Sequence, residues 1–167
     1  LNDPRRWNFT GRGKVEKILI KHPELPAALA ITQGTFDASH EKLTYADAKV
    51  ELLDASLTAS GVVENWRKAP LRLEATVSGI AGARMMDWGR RQTEVPAAYM
   101  LRSPLEFSES RVAWRDDTDF SFNGKLTVAH GPRISLDMTR NLHRLTIKEL
   151  LIDDGAPPAR ATFELDK

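Results

Sequence analysis

Apolar and polar residues alternate along most of this chain, and the period of two is stronger than any helical periodicity. Neighbouring side chains of a β-strand point to opposite faces of the sheet, so each run predicts a strand with one apolar and one polar face. The five clearest apolar sets are Leu57, Ala59, Gly61 and Val63; Leu71, Leu73, Ala75 and Val77; Phe120, Phe122, Gly124, Leu126 and Val128; Ile134, Leu136 and Met138; and Ala161, Phe163 and Leu165.

Turn-forming residues separate the runs at intervals of about 10–15 residues, which is typical of an antiparallel meander. A rougher alternation covers residues 29–52, where Gly34 indicates a bulge before Phe36. The parity of the apolar positions changes between Tyr45 and Ala46, and this change requires a bulge or a break. We expect about nine or ten strands in a curved, twisted sheet or groove.

One segment departs from the alternation. Residues 82–92 (GARMMDWGRRQ) predict a short helix, with Arg90 and Arg91 in the last turn, where cations interact favourably with the helix dipole. We expect this helix to interrupt the sheet once. The pattern on its two sides suggests two related halves, residues 1–81 and 93–167, within a single β-rich segment of a larger protein.

Composition excludes several kinds of site. The 167 residues include no cysteine, which rules out disulfides, thiolate zinc sites, iron–sulfur clusters and cysteine nucleophiles. The net charge of +1 argues against nucleic acid as the main partner, because phosphate binding normally needs a basic excess or a basic stripe. No apolar run reaches the length of a membrane span, and an anchor or export signal upstream of Leu1 stays open.

The polar residues offer little catalytic chemistry. No serine-hydrolase elbow, dinucleotide fingerprint or phosphate-binding loop is present, and the histidines lack metal-ligand spacing. Two acidic clusters could attract calcium, but they lack the spacing of a calcium loop and are better interpreted as turns. We therefore expect no catalytic residue, no metal and no cofactor. The residues considered are His22, His40, His130 and His143, with the clusters Asp116, Asp117 and Asp119, and Asp153, Asp154 and Gly155.

Three tracts share a recognisable layout of strands with small residues, glycine turns and one helix. They are LTASGVVENWRKAPLRLEATVSG, GARMMDWGRRQTEVPAAYMLRSPLEF and DFSFNGKLTVAHGPRISLDMTRNLHRLTIKELLIDDGAPPARATFELD. This layout resembles that of the AsmA-like superfamily of bacterial envelope proteins, especially its large, bridge-like lipid-transfer members. The resemblance implies a long twisted β-sheet in the periplasm, held at the inner membrane by an anchor outside this segment.

The same resemblance implies a non-enzymatic role in phospholipid transport or outer-membrane assembly, with the apolar face as the lipid-binding surface. Tryptophan favours interfaces and arginine binds phosphate, so one group on the predicted helix could contact lipid head groups. The same residues also fit a helix that packs Trp88 and a methionine on the sheet and leaves its arginines in solvent. The lipid-facing candidates are Leu57, Val63, Leu71, Leu73, Val77, Phe120, Phe122, Leu126, Val128, Ile134, Leu136 and Met138, and the head-group candidates are Trp88, Arg90 and Arg91.

Two other functions stay open at this point. A β-sandwich module could bind protein or carbohydrate through its loops, and a hydrolase could use carboxylates that meet only in three dimensions. One continuous sheet with free edges would favour the lipid-binding groove, whereas two sheets packed face to face would favour the module. Exposed strand edges would also predict a homo-oligomer.

Overall fold

The computed structural model describes residues 10–21, 23, 25–65, 72–93, 101–116, 119–142 and 144–166. It confirms a mostly β fold, with eleven antiparallel strands and one helix in these ranges. The strands are β1 (Thr10–Val15), β2 (Ile18–Ile20), β3 (Leu29–Ser39), β4 (Lys42–Leu52), β5 (Ala55–Glu64), β6 (Arg72–Ala81), β7 (Leu105–Asp116), β8 (Asp119–Val128), β9 (Arg133–Asn141), β10 (Arg144–Asp153) and β11 (Ala159–Asp166), and the helix is α1 (Ala83–Thr93).

The strands form a single open meander. Their order is β1-β3-β4-β5-β6-β7-β8-β9-β10-β11, and β2 pairs with β3 next to β1. Within the described ranges, the extensive contacts of each strand are those with its hydrogen-bonded neighbours, so no second sheet covers either face. The accessible surface of the chain is 11972 Å², whereas a compact protein of its mass exposes about 8300 Å². A sheet with no layer over its faces contributes to this larger area.

The helix does not interrupt the sheet, contrary to the sequence-based expectation. Strands β6 and β7 pair directly, from Leu73 opposite Trp114 to Ala81 opposite Leu105. The predicted helix at residues 82–92 is confirmed to within one residue, but it lies in the connection between two adjacent strands. A connection that leaves and re-enters at one end of the sheet can hold a helix without separating the strands.

A side chain from a distant turn fixes the start of α1. The Asp54 carboxylate, between β4 and β5, accepts hydrogen bonds from the backbone N–H of Arg84 (2.9 Å) and of Met85 (2.8 Å). These two donors have no partner within the helix, and a carboxylate at this end also complements the helix dipole. Chiefly through the Arg84 bond, the pKa of Asp54 is lowered from its ordinary value. A Cβ at residue 82 would lie 2.5 Å from the Asp54 carboxyl carbon, so a larger residue there would displace the capping carboxylate.

Register shifts in four of the described strands keep the apolar residues on one face. The change of parity near Tyr45 is a bulge at Asp47, which has a φ of 51°, and the register also shifts around Gly34 as predicted. Equivalent shifts occur at Glu109 in β7, also with a φ of 51°, and at Lys148 in β10. A bulge inserts one extra residue, so the apolar positions change parity along the chain but stay on the same face of the sheet.

The bulged strands β4 and β7 carry the same residue pattern. Each reads leucine, polar, aromatic, small, acidic with positive φ, small and buried, basic, valine, variable, and a large apolar residue. The matched segments are LTYADAKVEL at residues 43–52 and LEFSESRVAW at residues 105–114, a constant offset along the chain. This local correspondence agrees with two related halves, whose relation over their full length stays a prediction.

Candidate functional site

The pairing register places most of the large apolar side chains of the strands on one face, which we call the apolar face. One row runs from Leu43 through Val63, Leu73 and Trp114 to Phe120, each opposite the next. A second row lies beside the bulges of β4, β7 and β10 and contains mainly small residues. Its members are Ala48, Ala59, Val77, Ser110, Gly124, Leu136, Leu150 and Ala161.

The predicted lipid-facing residues lie together on this face. Cross-strand pairs link them directly, as between Val63 and Leu73, and between Leu126 and Ile134. Eleven of the twelve candidates share the face, and Leu71 lies outside the described residues. The structure therefore brings these side chains to one surface. The eleven are Leu57, Val63, Leu73, Val77, Phe120, Phe122, Leu126, Val128, Ile134, Leu136 and Met138.

Burial varies strongly across the apolar face. At the end of the sheet next to α1, a buried cluster has exposed fractions between 3% and 8%, and Met86 of α1 and Leu101 pack against it. The cluster consists of Leu105, Phe122, Leu126, Val128 and Ile134. Towards the opposite strand ends, large apolar residues such as Trp114 and Phe120 are only half-buried, because their contacts come from neighbours on the same face.

The two edges of the apolar face are exposed. Phe163 and Leu165 on β11 have exposed fractions of 39% and 55%, and Ile18 and Ile20 on β2 have 44% and 43%. We call these four residues the exposed margin. Large apolar side chains this accessible at the borders of one continuous face are typical of a surface that contacts another molecule.

The twelve lipid-facing candidates leave out many residues of this face, chiefly on β3, β4, β7, β10 and β11. The signal that could have found them is the change of parity inside each bulged strand, recognised only near Tyr45. In β10, Leu145 and Ile147 precede the bulge, and Leu150 and Ile152 follow it with the opposite parity. Further members of the face are Leu29, Ile31, Phe36, Leu43, Val50, Leu52, Leu105, Phe107, Val112, Trp114, Phe163 and Leu165.

Few polar groups lie on the apolar face. Ser110 is completely buried, and its hydroxyl donates to the Ser108 carbonyl at 3.3 Å. Tyr45 is half-buried there, and burial raises the pKa of its phenol. Apart from residues at the bulges, Arg140 is the only charged residue on the apolar face in the described part of the chain. It lies opposite Phe120 and Leu145. It stands at the strand ends farthest from α1.

The head-group candidates all belong to the second half of α1, at the other end of the sheet. Trp88 and Arg90 are half-buried, and Arg91 is exposed. The last turn of the helix holds both arginines, as predicted. Cationic side chains therefore stand at both ends of the strands, with Arg90 and Arg91 at one end and Arg140 at the other.

The opposite face is polar and carries cross-strand ion pairs. Arg12 and Asp37 approach to 2.6 Å, and Lys125 and Glu109 to 2.5 Å, both largely in solvent. The Lys125 ammonium lowers the pKa of the Glu109 carboxyl. Exposed pairs of this kind contribute little to stability. Two more pairs, Arg144–Glu164 and Arg160–Glu149, link the last two strands at 3.9 Å and 3.6 Å.

A hollow of about 510 Å³ lies on the polar face across β5 to β8. Its polar lining includes Glu74, Arg111, Ser121 and Asn123, with one carboxylate and no histidine. A hydrolase of the type considered above would need two convergent carboxylates or a serine–histidine pair. The lining of this hollow supplies neither.

The acidic clusters behave as turns where they can be described. Asp153 and Asp154 accept backbone N–H bonds from Gly155 and Ala156, each at 3.1 Å, as in Asx turns. Asp116 and Asp119 pair across the end of β7 and β8, while Asp117 lies outside the described residues, as do His22 and His143. His40 and His130 lie in the β3–β4 and β8–β9 turns, and no group of three metal-ligating residues occurs in the described ranges.

No helix within the described ranges has the length and apolarity to cross a bilayer. Comparison with known proteins gave no matching family model, no matching curated protein and no matching solved structure. The resemblance to AsmA-like proteins therefore stays a prediction.

Proposed function

We propose that the chain binds the acyl chains of phospholipid on its apolar face, as a non-enzymatic segment of an AsmA-like protein that transports phospholipid or assists outer-membrane assembly. In this proposal the segment works in the periplasm, attached to the inner membrane by an anchor outside it. The observation that carries the proposal is one continuous apolar face across eleven strands, with no second layer over it in the described ranges.

The chemistry of the face suits an alkyl chain. The backbone groups of the inner strands are paired within the sheet, and the side chains along each row are almost all hydrocarbon. Such a surface offers few hydrogen bonds, so it favours a partner that needs few. Each methylene removed from water contributes about 0.8 kcal/mol to the free energy of binding. An acyl chain that lies along a strand would cover several rows of apolar side chains.

An open sheet also supports lipid binding better than it supports either of the other two functions. A sandwich module would have two sheets packed face to face, whereas the described strands form one sheet. A hydrolase would need converging catalytic groups, and the polar hollow lacks them. Neither alternative makes use of the exposed apolar face.

The charged residues at the strand ends would set where head groups lie. Arginine binds phosphate bidentately, and an arginine beside apolar side chains keeps its charge in water while its stem covers hydrocarbon. Arg140 lies on the apolar face itself, so we place one head-group site there and a second at Trp88, Arg90 and Arg91 on α1. Arg140→Glu and Arg91→Glu, measured separately, would show which end matters.

Native mass spectrometry of the protein purified from a bacterial envelope tests the proposal. We expect adducts with phospholipid masses. Leu73→Glu, which places a carboxylate on the apolar face, should remove most of them, while Thr76→Glu, on the polar face of the same strand, should retain them. Absence of lipid after reconstitution with phospholipid vesicles, or equal loss in both folded variants, would contradict lipid binding on this face.

A further inference from the structure

Strand β11 is an edge of the described sheet that lacks two of the usual protections against pairing, a proline and a bulge of its own, and its charged residues Arg160 and Glu164 are of opposite sign. In the described part of the chain it pairs with β10 on one side, and its other side leaves backbone groups unpaired. It has no proline and no glycine, and the bulge in this pair lies in β10. Natural sheets normally block an exposed edge with such features. Phe163 and Leu165 on this strand are also exposed, at 39% and 55%.

We infer that β11 pairs with β11 of a second copy of the chain, antiparallel and about a two-fold axis at Thr162. In that register Arg160 faces Glu164 of the second copy, and Glu164 faces its Arg160. Ala161 faces Phe163 in the same way, so a small side chain meets a large one. A two-fold interface must be complementary to itself, and this register of ARATFELD meets that condition on both faces.

Existing ion pairs extend the charge pattern of the interface. Glu164 lies 3.9 Å from Arg144 of β10, and Arg160 lies 3.6 Å from Glu149. Across the axis these pairs would join into a ladder of alternating sign: Arg144, Glu164, then Arg160 and Glu149 of the second copy. The axis relates two such ladders on the polar face, while the apolar faces of both copies continue into one another.

The opposite edge of the sheet is a poorer partner. Self-pairing of β1 about Gly13 would bring Arg12 opposite Lys14, and self-pairing about Arg12 would bring the two copies of Arg12 together, so both registers oppose like charges. Pairing of β11 with β1 of a second copy would align Phe163 or Leu165 with Gly11 or Gly13, which offer no side chain for contact. That arrangement would also repeat without closing and give fibres rather than dimers.

Charge reversal tests the register, using sedimentation equilibrium and circular dichroism on the full chain. The wild-type protein should approach twice the monomer mass at high micromolar concentration. Arg160→Glu alone and Glu164→Arg alone each place like charges opposite one another and should weaken association about tenfold. An equimolar mixture of the two variants pairs opposite charges again and should restore dimers, as should the double variant R160E/E164R.

A cysteine cross-link provides a second readout. The chain has no cysteine of its own, and Cα atoms directly opposite in an antiparallel pair lie within the span of a disulfide. Thr162→Cys should therefore form a disulfide-linked dimer under mild oxidation. Thr10→Cys, on the exposed β1 edge, is the matched control and should stay largely reduced.

These outcomes decide the inference without reference to lipid. Dimers that the mixture restores and that Thr162→Cys links support the two-fold pairing. A monomeric wild-type protein, a mixture no better than either variant, or fibres weakened by Glu164→Arg but not by Arg160→Glu would overturn it. Lipid binding by a strictly monomeric protein would leave the proposed function standing, so the two failures are distinguishable.

Discussion

The buried cluster and the exposed margin belong to the same apolar face but have different surroundings. Both arise from alternation of period two, and both carry large hydrocarbon side chains. The cluster is surrounded by strands on both sides and receives Met86 from α1, and its residues are 3–8% exposed. The margin lies on edge strands, where Leu165 is 55% exposed. Alternation sets which face a residue occupies, whereas the number of neighbours sets how much it contributes to folding.

This contrast separates stability from binding. Residues of the cluster stabilise the sheet, so changes there should lower the free energy of unfolding. Residues of the margin contribute little to the isolated fold and remain accessible to another molecule.

Truncation should have its largest effect in the cluster. Phe122 is 8% exposed, so Phe122→Ala should lower the free energy of unfolding by about 3–5 kcal/mol through lost burial and a cavity. Leu165→Ala at the margin should change it by about 0.5 kcal/mol or less. Urea unfolding followed by circular dichroism measures both. Similar losses in the two variants would show that the margin is as well packed as the cluster.

Added volume should show the same contrast. A Cβ at residue 124 would lie 2.7 Å from the Ser110 Cα, so Gly124→Ala should destabilise the protein by about 1–3 kcal/mol. At Gly11, near the opposite edge, nothing lies within 4 Å of an added Cβ. Gly11→Ala should be neutral or stabilise by up to about 1 kcal/mol, because it restricts the unfolded chain. Thermal unfolding measures both variants. Equal shifts of their unfolding midpoints would show that the close approach of residue 124 to Ser110 does not limit the side chain there.

Acid should lower stability by protonating Asp54, which caps the start of α1. The folded-state pKa of Asp54 lies below its ordinary value of 3.8. Its capping contribution is therefore fully present above that value and declines as the pH falls through the lowered pKa. The difference in unfolding midpoint between the wild type and Asp54→Ala should be largest near neutral pH and shrink below pH 3.8. A difference independent of pH would show that the charge of Asp54 does not matter.

Much of the architecture could be predicted from local sequence. Runs such as Phe120 to Val128 fixed a strand with one apolar face, and the helix was located to within one residue. The parity change near Tyr45 identified one bulge correctly. The equivalent change in β7 follows the same rule, and recognising it would have assigned Leu105 and Trp114 to the apolar face.

Other features depend on contacts between distant parts of the chain. Asp54 is separated by about thirty residues from the N–H groups that it caps, so no local motif marks it. The position of α1 beside a continuous sheet depends on the pairing of β6 with β7, which the alternating pattern does not specify. Burial across the apolar face also depends on the position of each strand in the final order.

Quenching of tryptophan by brominated phospholipid tests most directly that the apolar face binds lipid. Trp114 lies on the apolar face opposite Leu73 and Phe120, and its neighbour Ala113 lies on the polar face. With the other three tryptophans replaced by phenylalanine, Trp114 should be strongly quenched by acyl-chain bromine. The matched protein with Ala113→Trp and Trp114→Phe should be quenched little. Equal quenching of the two proteins, or none of Trp114, would contradict the account.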